Sequence, residues 1–285
     1  MKGRIKKLFC GPEWMVCYKR KNEEAFHILK NPKGWWIADP FIFESADRLF
    51  LLGEFYKKSK AYGRIGVCEI INNSIRNIKI IIDNGKHMSY PFIVEQKGTV
   101  LTIMPETSQN NELCLYSGDV INDDKFGKKQ IILSNVKCVD STIFRFGQKI
   151  ILLSYSDVEK RSFYYFLNAD YSIDGNIHYL SNSLTTRCAG SSLTDKNLLP
   201  TQDNTKYYGE RILMNSIHLN NDQLLIKQLN SLEPSHLLFD NFDSSKITHL
   251  HTYNESENYC VVDVAVNKVN IFRWLEMLRR KMHER

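Results

Sequence analysis

Nowhere in the 285 residues does an apolar run reach the roughly 18–20 residues that a bilayer-spanning helix requires. The charged start, MKGRIKKLF, is not followed by the apolar core of a secretion signal, so a cytoplasmic location is expected. The seven cysteines (10, 17, 68, 114, 138, 188 and 260) are scattered, odd in number and never spaced as CxxC. That argues against a disulfide framework or a zinc site and for reduced, buried thiols. No glycine-rich phosphate loop and no GxGxxG turn is present, which excludes nucleotide hydrolases and dinucleotide enzymes, and no cofactor is expected. Charge of one sign is lacking too: 38 Lys+Arg against 32 Asp+Glu leaves +6, too mild an excess to call for nucleic acid. Helical periodicity is absent until after residue 269, and no linker or low-complexity stretch divides the chain.

What is present is a core-forming composition, 43% hydrophobic, and a repeat. ADPFIFESADRLFLLGEF (38–55) aligns with SYPFIVEQKGTVLTIMPE (89–106) and VDSTIFRFGQKIILLSYS (139–156). Weaker copies are CAGSSLTDKNLLPTQDN (188–204) and THLHTYNESENYCVVDVA (248–265). Each reads as a small or polar entry, an alternating run, a turn and a second run, that is, a β-hairpin. The entries align at Asp39, Tyr90, Asp140, Ala189 and His249, at intervals of 51, 50, 49 and 60 residues. Two further strand-like runs follow each of the first four hairpins, making four strands per unit, the pattern of a propeller blade. The fifth hairpin lacks its outer strands, and WMVCYK (14–19) with AFHILK (25–30) supplies them. The expected fold is therefore an all-β, five-bladed β-propeller over residues 1–269, closed by N-terminal strands that join the last blade. A C-terminal amphipathic helix over 270–285 follows it.

In such a ring the first strand of each blade lines the axis, and its start shares a face with the end of the second strand. Asp39 is then a member of a ring facing a shared funnel rather than a misplaced strand residue. The same logic collects Glu54, His87, Ser89, Tyr90, Glu106, Asp140, Arg187, Gln202, Asp203, Tyr208, His249 and His251 as candidates. Polar groups gathered in this way are costly to bury unless a ligand or water meets them. Trp35 and Trp36 alternate faces, so one of them at most can stack on a sugar ring, and Trp36 is the candidate. The HLH of 249–251 puts two imidazoles on one strand face, but without a third ligand at known spacing no metal site is expected.

The pieces WWIADPFIFE, LLGEF, GRIGVCEI, HMSYPFIVE, IMPETSQNNELCLY, VDSTIF, RCAGS, PTQDNTKYYGERI and HLHTY run through all five units in order, over roughly residues 35–253. They resemble the N-terminal domain of plant glucosamine inositolphosphorylceramide transferase and its stand-alone bacterial relatives. More distantly, the plan with ADPF in the first blade resembles the clan of family 43, 62 and 32 glycoside hydrolases. The hydrolase resemblance implies a general base or nucleophile at Asp39; the bacterial relatives imply a part in cell-surface polysaccharide assembly.

Chemistry at a glycosidic bond needs one carboxylate to activate the attacking oxygen and an acid for the departing one. Asp39 is the expected catalytic base, with Glu106 and Asp140 as acid or sugar-orienting groups. The second blade has SYP where several hydrolases have an acidic entry, and no glutamate adjoins Asp140, so the hydrolytic set is incomplete. Transfer from a donor with an anionic leaving group would instead use Arg187, His87, His249 and His251 to hold that charge. The leading expectation is a glycosyltransferase-type enzyme acting on a sugar or activated sugar. The alternatives are a glycoside hydrolase of furanose linkages and a non-catalytic sugar-binding module.

In the tail NIFRWLEMLRRKMHER, one helical stripe holds Ile271, Trp274, Leu275, Leu278 and Met282, with Arg273, Arg279, Arg280 and Lys281 mainly elsewhere. This basic amphipathic helix, joined by Lys2, Arg4, Lys6 and Lys7, either packs on the propeller or rests on the inner membrane beside a lipid-linked glycan acceptor.

Overall fold

A computed structural model describes residues 10–180, 187–193, 197–269 and 273–283. The chain opens with β1 (Cys10–Arg20) and β2 (His27–Ile28). Blade one follows as β3 (Trp35–Ser45), β4 (Arg48–Lys57), β5 (Tyr62–Ile71) and β6 (Ser74–Ile82). Blade two is β7 (Ser89–Lys97), β8 (Val100–Glu106), β9 (Glu112–Asp119) and β10 (Gly127–Ser134). Blade three is β11 (Cys138–Phe146), β12 (Lys149–Ser156), β13 (Arg161–Leu167) and β14 (Ile173–Tyr179). Blade four is β15 (Arg187–Cys188), β16 (Leu198–Asp203), β17 (Arg211–Asn220) and β18 (Gln223–Leu232). The fifth sheet runs β19 (Ile247–Glu255), β20 (Tyr259–Val269), β1, β2. The expected ring is thus observed, closed by antiparallel pairing of β1 with β20 from Cys10↔Val269 to Arg20↔Tyr259.

Burial falls from the axis outward. The second strand of blade one, RLFLLGEFYK, is buried along its middle, because neighbouring blades cover both faces. The outermost strand, SIRNIKIII, is mostly half-buried or exposed and alternates weakly. Phe41, Leu52, Ile65, Leu101, Ile103, Leu152 and Leu199 belong to one continuous apolar cluster spanning blades one to four. Cys17, Cys68, Cys114, Cys138, Cys188 and Cys260 are buried free thiols, as composition led us to expect.

One local irregularity positions everything that follows. In β3 the register jumps between Ala38↔Glu54 and Phe41↔Leu52, leaving Asp39 and Pro40 opposite Gly53. The same β-bulge recurs at Tyr90 and Pro91, at Asp140 and Ser141, and at His251 and Thr252. A proline has no N–H to give to the ladder, so it fits where the bulge leaves the backbone unpaired. Asp39, Tyr90 and Asp140 sit there at φ of 48°, 43° and 48°, a region disfavoured for residues other than glycine. The bulge turns these side chains out of strand alternation and toward the axis. It also corrects the sequence alignment of the last blade: the residue equivalent to Asp39 is His251, not His249.

After β20 the chain forms α1 (Arg273–His283). Trp274, Leu278 and Met282 are exposed while Leu275 is half-buried, so most of the described stripe faces solvent. Lys2, Arg4, Lys6, Lys7 and Ile271 lie outside the described residues, as do the side chains of Arg280 and Lys281. No helix among the described residues is long and apolar enough to cross a membrane.

Candidate active site in the propeller funnel

The axis is not an open channel. Tyr90 is fully buried and reaches across it, its hydroxyl 2.9 Å from Thr142 Oγ1 and 3.0 Å from the Gly190 carbonyl. The Gly190 N–H donates to the same hydroxyl at 2.7 Å. Glycine is required there: φ is 142°, and a Cβ would meet the Tyr253 carbonyl at 2.0 Å. Tyr90 therefore plugs the ring rather than binding sugar, which corrects its place among the substrate residues. Above it lies a cavity of about 580 Å³, a size suited to a small ligand.

Asp39, Glu54, Glu106, Asp140, Trp36, His87, Ser89, Arg187, Tyr208 and His251 all line this cavity. Trp36 stacks on Tyr56 at 4.2 Å and 10°, presenting an aromatic platform, whereas Trp35 packs under the Arg64 guanidinium on the flank. Besides Tyr90, three candidates lie outside the lining. Gln202 is buried behind it and donates to Asp140 Oδ2 at 2.8 Å, so it positions that carboxylate. Asp203 is held by Arg211 at 2.9 Å and caps Thr205, so its charge is directed away from the funnel. His249 contacts Thr248 Oγ1 at 2.7 Å and packs on Trp14 and Tyr207, because it stands two residues before the bulge.

At the floor, Asp39 Oδ1 lies 3.0 Å from His251 Nδ1, and Asp263 Oδ2 lies 3.4 Å from the same nitrogen. His251 Nε2 is 2.5 Å from the Tyr208 hydroxyl. Asp39 Oδ2 accepts the Tyr90 N–H at 3.1 Å, and Asp263 Oδ2 accepts the Asp39 N–H at 2.9 Å. Burial pushes the Asp39 carboxyl up, against the pull of His251. Burial pushes His251 down, but the Asp39 and Asp263 carboxylates outweigh it and lift the imidazole well above the usual histidine range. The two carboxylates facing Nδ1 thus favour the charged form of the imidazole. One imidazole and two carboxylates, with ligand atoms within 4.8 Å of one another, are also a donor set that a cation can use.

Asp263 is the buried acid that sequence reading missed. Its signal was a lone aspartate inside the apolar run CVVDVAV, where a carboxylate must find partners. It accepts from the Thr252 N–H at 2.6 Å and the Thr252 hydroxyl at 2.9 Å.

Across the funnel, Arg187 Nε donates to Asp140 Oδ2 at 2.7 Å. Glu106 accepts from the Ser108 hydroxyl at 2.8 Å. Burial, then the nearby Asp140 charge, pushes Glu106 up to about 7, with Arg187 opposing. A carboxyl so placed is substantially protonated at neutral pH and can give a proton.

The expected cation set is largely engaged. Arg187 is paired with Asp140, and burial lowers His249. His87 Nδ1 accepts the Gly63 N–H at 3.0 Å. At the mouth, the lining cations are Lys137 and Arg273 of α1, neither of which sequence reading assigned to the site. Ala189 occupies the blade-four equivalent of Asp39, so that blade brings no carboxylate at this level.

Residues 29–227 match the protein family described as glucosamine inositolphosphorylceramide transferase 1, N-terminal. The rice (Oryza sativa subsp. japonica) glucosamine inositolphosphorylceramide transferase 1 is 34% identical over 83 residues, 28% of this chain and 11% of that protein. Its Arabidopsis thaliana counterpart is 29% identical over 110 residues, 38% of this chain and 14% of that protein. The matches therefore span a small part of these relatives' length. Among solved structures, an exo-β-1,3-galactanase from Phanerochaete chrysosporium, with β-1,3-galactotriose, is similar at TM-score 0.54 and 11% identity, covering 91% of this chain and 65% of that one. A hypothetical protein from Leishmania major is similar at TM-score 0.54 and 11% identity, covering 87% and 90%. At such identity the likeness is one of fold.

Proposed function

The chain belongs to the family of the glucosamine inositolphosphorylceramide transferase 1 N-terminal domain, and from this and the funnel's carboxylates we propose that it is a carbohydrate-active enzyme transferring a glycosyl unit to a sugar hydroxyl. Asp39 takes the acceptor proton, with His251 and Asp263 setting its charge. Glu106 gives a proton to the departing oxygen, and Asp140 with Arg187 tunes that acid. Trp36 and Tyr56 carry a sugar ring, and Lys137 and Arg273 face the anionic part of a donor at the mouth. The reaction belongs to cell-surface polysaccharide assembly on the cytoplasmic side of the membrane, with a lipid-linked glycan as acceptor.

One observation carries this reading: a single cavity holds an ion-paired carboxyl, Asp39, and a second one, Glu106, poised near neutrality, beside a stacked aromatic platform. Glycosidic chemistry needs that division of roles. The test is incubation with sugar nucleotide and sugar phosphate donors, with and without oligosaccharide acceptor. Donor consumption that requires acceptor, and is lost in Asp39→Asn with the fold intact, supports transfer. The acid–base pair also favours a second reading, hydrolysis, which release of sugar from aryl glycosides without acceptor would establish instead. Sugar affinity with no turnover on any of these would overturn both.

A further inference from the structure

We propose that the funnel mouth docks onto an anionic lipid bilayer, through the exposed face of α1 and a lysine rim on the same side of the propeller. Trp274, Leu278 and Met282, spaced four residues apart, form one stripe of α1 and are 43%, 52% and 76% exposed. Val269, the last residue of β20, is 78% exposed. These apolar groups sit at the funnel, not on a remote flank. Arg273, Glu276 and Met277 line the cavity, and Arg279 donates to the Ser59 carbonyl in the β4–β5 turn at 3.3 Å.

Charge separates the two ends of the propeller around this helix. The funnel-side connections before β3, β5, β7, β9 and β11 carry Lys30, Lys33, Lys58, Lys60, Lys86 and Lys137 against one acid, Asp83. Lys60 pairs with Asp83 and Lys58 with Glu13 of β1, so Lys30, Lys33, Lys86 and Lys137 carry the arc. The opposite-face connections before β2, β4 and β10 carry Glu23, Glu24, Asp47, Asp123 and Asp124 against Lys21 and Lys125. Later funnel-side connections are mixed, with Asp157, Glu159 and Glu210 among them, so the basic arc lies on the blade-one side, where Arg279 anchors α1. An apolar helical stripe beside a basic arc is complementary to a negatively charged headgroup surface: the stripe enters the acyl boundary and the lysines meet the phosphates. A protein partner would have to match both the stripe and the spread lysines in shape, whereas a continuous anionic bilayer surface meets both without a matching contour. The purpose of docking rests on the transfer reading; the docking itself does not.

Sedimentation of the full chain with phosphatidylcholine vesicles, with and without phosphatidylglycerol, tests it. Binding is expected only with the anionic lipid and should disappear in high salt. Trp274→Ser with Leu278→Ser should weaken binding about tenfold or more, and Lys30→Glu with Lys33→Glu several-fold, with unchanged thermal unfolding. Brominated phosphatidylglycerol should quench tryptophan fluorescence in the wild type but much less in Trp274→Phe. Absence of binding to anionic vesicles at low salt overturns the proposal. So does binding that the helix variants leave unchanged, or a dimer in solution that those variants dissociate. Vesicle binding without glycosyl turnover would leave docking standing and remove the transfer reading; turnover on soluble acceptor without vesicle binding would do the reverse.

Discussion

Asp39 and His251, from the first and last blades, stand at equivalent bulges and face each other at 3.0 Å across the interface between those two blades. The base and the group that sets its charge therefore exist as a pair only when the propeller is shut. Removing the Asp39 charge should lower turnover about 10²–10⁴-fold in Asp39→Asn, the range for a lost general base. Circular dichroism should report an unchanged sheet.

The same pair makes His251 a reporter. Its folded pKa lies above the ordinary 6.5, so its contribution to stability is fully present below about that pH and is lost as pH rises through the folded value. Asp39→Asn deletes one of the two carboxylates that raise it. The imidazole resonance of His251 should then titrate at lower pH than in the wild type; no movement would remove Asp39 as its electrostatic partner.

Glu106 should govern the alkaline limb of the rate profile, falling near pH 7 as the acid loses its proton. Asp140→Asn deletes a charge that raises Glu106, so the limb should move to lower pH. Because the folded pKa exceeds the usual 4.5, the contribution of Glu106 to stability falls as pH rises from about 4.5 to about 7. Glu106→Gln should therefore be more stable than the wild type above pH 7, by on the order of 3 kcal/mol in chemical denaturation.

Tyr90→Phe leaves the Gly190 N–H without its acceptor inside a closed core. A loss of about 1–3 kcal/mol in urea unfolding is expected. Sugar affinity should stay the same, since the ring lies beneath the cavity rather than in its wall.

Trp36→Ala removes half of a stacked platform and should raise KM about tenfold while kcat changes little, the mark of binding shared by ground and transition states. An equal fall in kcat would instead place Trp36 in the transition state.

The repeat of alternating runs determined five hairpins, their outer strands and the closure by residues 14–30, because strand periodicity and turn residues are local properties of the chain. It also brought Asp39, Glu106, Asp140 and Arg187 to one funnel, since equivalent positions in a ring must converge. A one-dimensional alignment could not see the bulge, which decides whether His249 or His251 faces the axis. Nor could it tell that Tyr90 crosses to Gly190, or that Asp263 stands beneath Asp39. Those outcomes, and the displaced acidity of Glu106, depend on burial and on distances between blades. Such quantities exist only after non-local packing has excluded water from the axis.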